Sequence, residues 1–84
     1  MYHILVVDDD KEIRSSLQIY LEEEGYRVTL CADGQQALSV VLEQDVHLIL
    51  LDIMMPVMDG FETARRIRKL SAVPILFLSV EPLQ

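Results

Sequence analysis

The chain has 84 residues, of which 51% are hydrophobic, and it carries a formal net charge of −7. This length corresponds to one small domain, residues 1–84, and the apolar content is too high for a disordered acidic segment. The acidic balance argues against direct nucleic-acid binding by this chain, because such binding requires a basic face.

Cysteine usage and hydropathy indicate where the protein resides. The single cysteine, Cys31, excludes an internal disulfide and is typical of a reducing compartment. No apolar stretch approaches the roughly 20 residues that a membrane helix needs. The first residues lead directly into an apolar run, without the basic region or cleavage site of a signal peptide. We therefore expect a cytoplasmic protein that makes no contact with a membrane.

The first strand and helix are indicated by an apolar run and a helix-start signal. Residues 3–7 predict a strand, and Asp9 or Asp10 then begins a helix that extends to about Glu24. Gly25 stands where the end of a helix requires a positive φ. Helical spacing predicts that the buried stripe of this helix consists of Ile13, Leu17, Tyr20 and Leu21.

A second strand and helix follow. Residues 26–31 alternate in polarity, as is typical of a strand at the edge of a sheet. Cys31 ends this strand, so we interpret it as a small buried side chain rather than a reactive thiol. Asp33-Gly34 is a turn signal. The helix after it is predicted to use the apolar residues Ala37, Leu38, Val41 and Leu42.

The third strand and helix are separated by a loop that contains proline. Residues 47–51 predict the strand, and residues 54–58 predict the loop. Asp59 is expected to be the N-cap of the helix, with Glu62 at the matching position of a capping box. The buried stripe of this helix is predicted to be Phe61, Ala64, Ile67 and Leu70.

A fourth strand completes the predicted elements. Residues 75–78 follow a proline and form a short apolar run, which Ser79 ends. The resulting order is β-α-β-α-β-α-β. Regular alternation of strands and helices indicates an α/β fold with a parallel sheet and right-handed crossovers.

Two of the apolar runs end in acidic residues. Residues 4–7 are followed by Asp8 and Asp9, and residues 48–51 are followed by Asp52. Ligands of open α/β sheets bind beyond the carboxyl ends of the strands. If these two strands are neighbours, the three carboxylates lie close together, and their repulsion favours a bound divalent cation. An all-oxygen ligand set suits Mg²⁺, which favours phosphate as a further ligand.

Three strings in this sequence carry a resemblance to a known family. ILVVDDD, LILLDIMMPVMDGFE and VPILFLS, in this order and spacing, closely resemble the receiver domain of bacterial response regulators in two-component signalling. The resemblance covers residues 3–79. Its most specific part is Asp52, followed four residues later by proline and then by Asp59-Gly60. The segment 54–56 is most similar to regulators that carry a winged-helix DNA-binding domain.

The resemblance implies a fold and a set of roles. The fold is a flavodoxin-like doubly wound parallel sheet, incomplete, with strand order 2-1-3-4. Asp52 matches the residue that accepts a phosphoryl group from a sensor histidine kinase and also contacts Mg²⁺. Asp8 and Asp9 match the acidic pair that holds this Mg²⁺. The backbone carbonyl of Met54 matches a further metal ligand, and Ser79 matches the hydroxyl residue that hydrogen-bonds the phosphoryl group.

Two enzyme classes on α/β scaffolds are disfavoured, so we interpret the chain as a signalling domain and not as an enzyme. A phosphatase of the haloacid dehalogenase type needs a second acid two residues after its nucleophile, where this chain has Met54. A dinucleotide-binding enzyme needs a glycine-rich turn after the first strand, where residues 8–10 are all aspartate. Asp9 also remains open as a helix N-cap that does not contact metal.

In the family, a further helix, strand and helix follow the fourth strand, with a lysine that pairs with the phosphoacceptor. The 84 residues do not include these elements, and Glu81 has the wrong charge to replace the lysine. The strand at 75–78 then becomes an apolar edge without a protecting charge. We expect it to pair with a second copy or with a completing partner. A truncated receiver that acts mainly in protein interaction and oligomerisation is the alternative function.

Overall fold

The computed structural model describes residues 1–78, and the prediction for Ser79 lies outside them. Four parallel strands form one sheet in the order β2-β1-β3-β4, so the predicted α/β doubly wound fold and strand order are confirmed. The elements are β1 (His3–Val7), α1 (Lys11–Glu23), β2 (Arg27–Cys31), α2 (Gly34–Glu43), β3 (Leu48–Asp52), α3 (Gly60–Arg68) and β4 (Ile75–Leu78).

The sheet is covered on both faces, which explains why the central strands are continuous apolar runs. In β1, Leu5 and Val7 point toward α2 and α3, whereas Ile4 and Val6 belong to the smaller cluster beneath α1. Every residue of β1 is buried. The larger cluster contains Leu5, Val7, Cys31, Ala37, Leu38, Ile49, Leu51, Met55, Ile67 and Val73. Among residues 1–78, no helix is long and apolar enough to cross a bilayer.

Cys31 is buried at the end of β2, as predicted for a small core side chain. Burial raises the pKa of its thiol to about 11. At neutral pH the side chain is therefore a thiol and not a reactive thiolate.

The start of α1 resolves the choice between two aspartates. Asp10 is the N-cap, and its Oδ1 accepts hydrogen bonds from the backbone N–H groups of Glu12 at 2.8 Å and Ile13 at 3.2 Å. These bonds satisfy two of the amide groups that a helix start otherwise leaves unpaired. Asp9 is not the cap, so the interpretation of Asp9 as a helix cap is wrong.

The start of α3 is capped as the sequence predicts, but the capping box is only half formed. Asp59 Oδ1 accepts a hydrogen bond from the N–H of Glu62 at 2.9 Å. The Glu62 carboxylate does not return to Asp59 and instead accepts from Arg65 and Arg66. These two guanidinium groups lower the pKa of Glu62 to about 2, and Arg65 has the larger effect. The basic residues here lie on an exposed, internally paired helix face.

The end of α1 confirms the prediction for Gly25, whose φ is 93°. Its N–H donates to the carbonyl oxygen of Glu22 at 3.0 Å, and the N–H of Tyr26 donates to that of Leu21 at 3.1 Å. This pair of bonds closes the last turn of the helix and needs a residue that adopts a positive φ without strain.

Several residues predicted to be buried are exposed. Tyr20 is 63% exposed, and the same correction applies to Phe61 and Leu70. Within the described residues, each helix packs on one face of the sheet. A helix on a flat face buries an arc narrower than its apolar stripe, so residues at the margin of the stripe face solvent. The predicted residues Ile13, Leu17 and Leu21 of α1 are half-buried.

The loop after β3 contains the one non-glycine residue with a positive φ in the part of the chain that the structure describes. Val57 has a φ of 69°, and the N–H of Met58 donates to the carbonyl oxygen of Pro56 at 2.8 Å across it. Val57 itself is fully exposed, whereas Met55 is buried and Met58 is half-buried against the core. The two methionines anchor the loop and hold a β-branched residue in a conformation that it rarely adopts.

We predict that Val57→Gly stabilises the protein by about 0.5–1 kcal/mol, because the relief of strain exceeds the entropic cost of glycine. Urea unfolding followed by circular dichroism measures the change. Val57→Ala is the matched control and should gain less, since alanine retains a Cβ at the same φ. A Val57→Gly variant that is no more stable than the alanine variant contradicts the prediction.

Candidate metal centre

The carboxyl ends of β1 and β3 lie side by side. The parallel register pairs Val7 with Leu51, so the residues that follow each strand emerge at the same edge of the sheet. Carboxylate oxygens of Asp8, Asp9 and Asp52 all lie within 4.8 Å of one another. The predicted convergence of the three acids is therefore confirmed.

The three acids differ in their exposure to solvent. Asp8 is only 3% exposed, Asp52 is half-buried and Asp9 is exposed. The cluster therefore has a buried inner side at Asp8 and opens to solvent at Asp9. A ligand from solution can reach the cluster from the side of Asp9.

Asp8 is fixed at each of its backbone polar groups and at one carboxylate oxygen. Its N–H donates to the carbonyl oxygen of Cys31 at 3.1 Å, which extends the pairing of β1 with β2 by one residue. Its Oδ1 accepts from the N–H of Asp10 at 2.9 Å. Its carbonyl oxygen accepts from Nη1 of Arg14 at 2.8 Å. The second carboxylate oxygen has no such bond among the described residues and is available to a ligand.

Asp52 is held by the turn that follows it. Its Oδ1 accepts from the N–H of Met54 at 3.2 Å. The next residue, Ile53, donates to the carbonyl oxygen of Leu78 at 3.3 Å and accepts from the N–H of Gly60 at 2.8 Å. The start of α3 and the end of β4 thus fix the backbone that carries Asp52.

Gly60 has a packing role that the sequence pattern missed. A Cβ at this position would overlap the backbone carbonyl of Asp52 and approach Cα of Ile53 within 2.7 Å. The helix can begin this close to Asp52 only because residue 60 has no side chain. The Asp59-Gly60 dipeptide signals a turn, but the contact with the end of β3 exists only in three dimensions.

Burial and like charge disfavour the ionised acids. Burial, followed by the charge of Asp9, raises the pKa of Asp8, and the N–H of Asp10 opposes this. Burial, followed by the charge of Asp8, raises the pKa of Asp52, while the N–H of Met54 acts in the opposite direction. A bound cation would relieve both effects. The donor set consists of carboxylate oxygens, which fits a hard divalent ion such as Mg²⁺.

The other predicted site residues have different outcomes. Asp10 caps α1, in agreement with its interpretation as a helix-start residue. Met54 is 81% exposed, so its side chain does not fill a gap in the core. The proposed metal ligand at this residue is its backbone carbonyl, and that role stays a prediction. Ser79 lies outside residues 1–78, so its role also stays a prediction.

Comparisons with known proteins agree with this geometry. A family model described as "Response regulator receiver domain" matches residues 4–82. The transcriptional regulatory protein AfsQ1 of Streptomyces coelicolor is 42% identical over 79 residues, which cover 94% of this chain and 35% of that protein. The transcriptional regulatory protein ResD of Bacillus subtilis is 46% identical over 78 residues, 93% of this chain and 32% of that protein. The chain spans about a third of the length of these relatives.

Solved structures show the same fold. Chemotaxis protein CheY4 of Vibrio cholerae superposes with a TM-score of 0.92 at 36% identity, covering 99% of this chain and 72% of that chain. The response regulator TrrA of Thermotoga maritima, solved in complex with Mg²⁺-BeF, has a TM-score of 0.78 at 43% identity and covers 82% of this chain and 60% of that chain. This chain belongs to the response regulator receiver domain family, whose members are signalling domains rather than classical enzymes.

Proposed function

We propose that this domain accepts a phosphoryl group from a sensor histidine kinase on Asp52, with Mg²⁺ held by Asp8, Asp9 and Asp52. The observation that carries the proposal is the approach of the three carboxylates to within 4.8 Å of one another. Receivers of response regulators interact with histidine kinases, and TrrA, a relative, was solved with Mg²⁺-BeF.

The arrangement suits in-line phosphoryl transfer. Met54 holds one carboxylate oxygen of Asp52, so the other oxygen is the one that attacks phosphorus. The new bond joins this oxygen to phosphorus, while the bond from phosphorus to the histidine nitrogen of the kinase breaks. Catalysis of this kind depends mainly on positioning and on neutralising charge on the equatorial oxygens, and Mg²⁺ supplies that neutralisation when bound. The product is an acyl phosphate, which hydrolyses readily and suits a transient signal.

Three finer assignments belong to the same proposal. The carbonyl of Met54 is proposed as a further ligand of Mg²⁺, and the Ser79 hydroxyl as a hydrogen-bond donor to the phosphoryl group. A cytoplasmic location is proposed as well, since response regulators are typically cytoplasmic. Each of these assignments rests on the family resemblance rather than on a contact between described residues.

Incubation with acetyl phosphate and Mg²⁺ is expected to add one phosphate to the chain, as measured by intact mass spectrometry. Asp52→Asn should abolish the addition, because an amide oxygen is a poor nucleophile toward phosphorus. Asp45→Asn is the matched control, since Asp45 is an exposed aspartate just before β3, at the amino ends of the strands and away from the acids. Equal labelling of the Asp52→Asn variant would place the phosphoacceptor elsewhere, and an unlabelled wild type would leave only the fold.

The raised pKa values of Asp8 and Asp52 make stability depend on pH in a definite direction. Both lie above their ordinary value of 3.8 in the folded state, so the folded state binds more protons than the unfolded state. The free energy of unfolding therefore falls as pH rises from about 3.8 through the raised pKa values. Above the raised pKa values, the metal-free protein carries the full repulsion of the ionised acids.

We predict that Asp52→Asn stabilises the metal-free protein at pH 7. For two charges 4.8 Å apart, the largest separation within the cluster, Coulomb's law gives about 1 kcal/mol at a dielectric constant of 80 and about 3 kcal/mol at 20. Urea unfolding in the presence of a chelator measures the gain, with Asp45→Asn again as the control. Mg²⁺ should stabilise the wild type at pH 7 but not the protonated protein near pH 3. A destabilised Asp52→Asn variant would contradict strong repulsion in the cluster.

A second proposal concerns β4, which pairs only with β3 among residues 1–78. We propose that its outer edge, which no strand among residues 1–78 covers, binds a strand from a second copy of the chain or from a completing partner. Leu76 and Phe77 are exposed on this strand. A cavity of about 690 Å³ also opens between α1 and β4, with Leu17 and Leu78 in its apolar wall. Unpaired apolar edges of this kind act as templates for pairing.

Light scattering after size-exclusion chromatography is expected to give at least twice the monomer mass for residues 1–84. Leu76→Lys should shift the equilibrium toward monomer, because an edge lysine disfavours strand addition. Leu42→Lys is the matched control, since Leu42 is an exposed leucine on α2, away from β4. A compact, stable wild-type monomer would overturn the proposal.

A further inference from the structure

Arg14 connects the second turn of α1 to the end of β1. Its backbone N–H donates to the carbonyl oxygen of Asp10 at 3.1 Å, as expected within a helix. Its side chain turns back and donates from Nη1 to the carbonyl oxygen of Asp8 at 2.8 Å. The side chain is half-buried in this position. A hydrogen bond from a charged donor is stronger than one between neutral groups.

The carbonyl that Arg14 binds belongs to the peptide unit between Asp8 and Asp9. The plane of this unit fixes the directions in which both residues project their side chains. The preceding peptide unit is held by the bond from the Asp8 N–H to Cys31. The Asp8 carboxylate in turn accepts from the N–H of Asp10. The Arg14 side chain on α1 thus holds the peptide between the two acids, and the Asp8 carboxylate holds the residue that begins α1.

We propose that Arg14 is a positioning residue of the metal centre, which holds the Asp8–Asp9 peptide so that both carboxylates face a divalent cation. This inference rests on the proposed Mg²⁺ site. It assigns the metal affinity of the centre partly to a residue that contributes no ligand atom.

The charge of Arg14 and its hydrogen bond act on metal affinity in opposite directions. The guanidinium repels a cation, so loss of its charge alone would tighten the binding of Mg²⁺. Loss of the hydrogen bond would weaken binding, because the acid pair would no longer be held in place. Removal of a partner that orients metal ligands typically costs about 10- to 100-fold in affinity, which exceeds the effect of one partly screened charge.

The experiment titrates Mg²⁺ into the wild type, Arg14→Met and Arg27→Met, with isothermal titration calorimetry at pH 7. Arg27 is exposed and begins β2, at the amino ends of the strands, whereas the acids lie at the carboxyl ends. Arg27→Met therefore removes the same charge far from the acids. Arg14→Met is expected to bind Mg²⁺ about 10-fold more weakly. Arg27→Met should match the wild type, and Arg14→Lys should recover part of the loss.

Urea unfolding in a chelator separates positioning from a general structural role. A purely structural Arg14 would lower the stability of the metal-free protein and leave the Mg²⁺ affinity of the folded protein unchanged. That result, or tighter Mg²⁺ binding by Arg14→Met, overturns the positioning role while the proposed function stands. A wild type that binds no Mg²⁺ overturns the proposed function and the positioning role together.

Discussion

Mutual repulsion among three carboxylates at one edge of a parallel sheet is the constraint around which this domain is built. The register of β1 with β3 brings Asp8 and Asp52 to the same level, and their pKa values rise as a result of burial and like charge. An isolated chain segment would relax by turning these side chains apart. Here the hydrogen bonds around Asp8 and the close approach of Gly60 to Asp52 prevent that relaxation.

The distribution of packing follows from the same constraint. The two central strands are buried on both faces and carry the acids, so the most deeply buried part of the molecule supports the repelling charges. The loop at 53–59 is attached to that core by Met55 and returns to it at Gly60. Chemistry can thus occur at the rim of the sheet without loss of the core. Parallel strands permit this because all their carboxyl ends lie along one edge.

Most of the fold could be predicted from the sequence because its signals are local. The apolar runs predicted the four strands. Gly25 marked the end of α1, and Asp59 marked the start of α3. The two apolar runs that end in acid predicted the site. Residues whose roles depend on distant neighbours could not be found this way. The contacts of Arg14 with Asp8 and of Gly60 with Asp52 leave no periodicity in the chain.

The errors have a related cause. The burial of Tyr20 was predicted from spacing along one helix, whereas exposure depends on how wide a neighbouring surface is. The strained turn at Val57 was missed because glycine is the usual signal for a positive φ, and here a valine adopts it.

Cys31 gives the molecule a built-in reporter of local opening. Its thiol is buried, and its pKa of about 11 leaves almost no thiolate in the closed state at neutral pH. A thiol reagent can therefore react with it only when the core packing around Cys31 opens. Since the carbonyl of the same residue accepts the hydrogen bond of Asp8, the reaction rate would report openings of the core directly beside the acidic cluster.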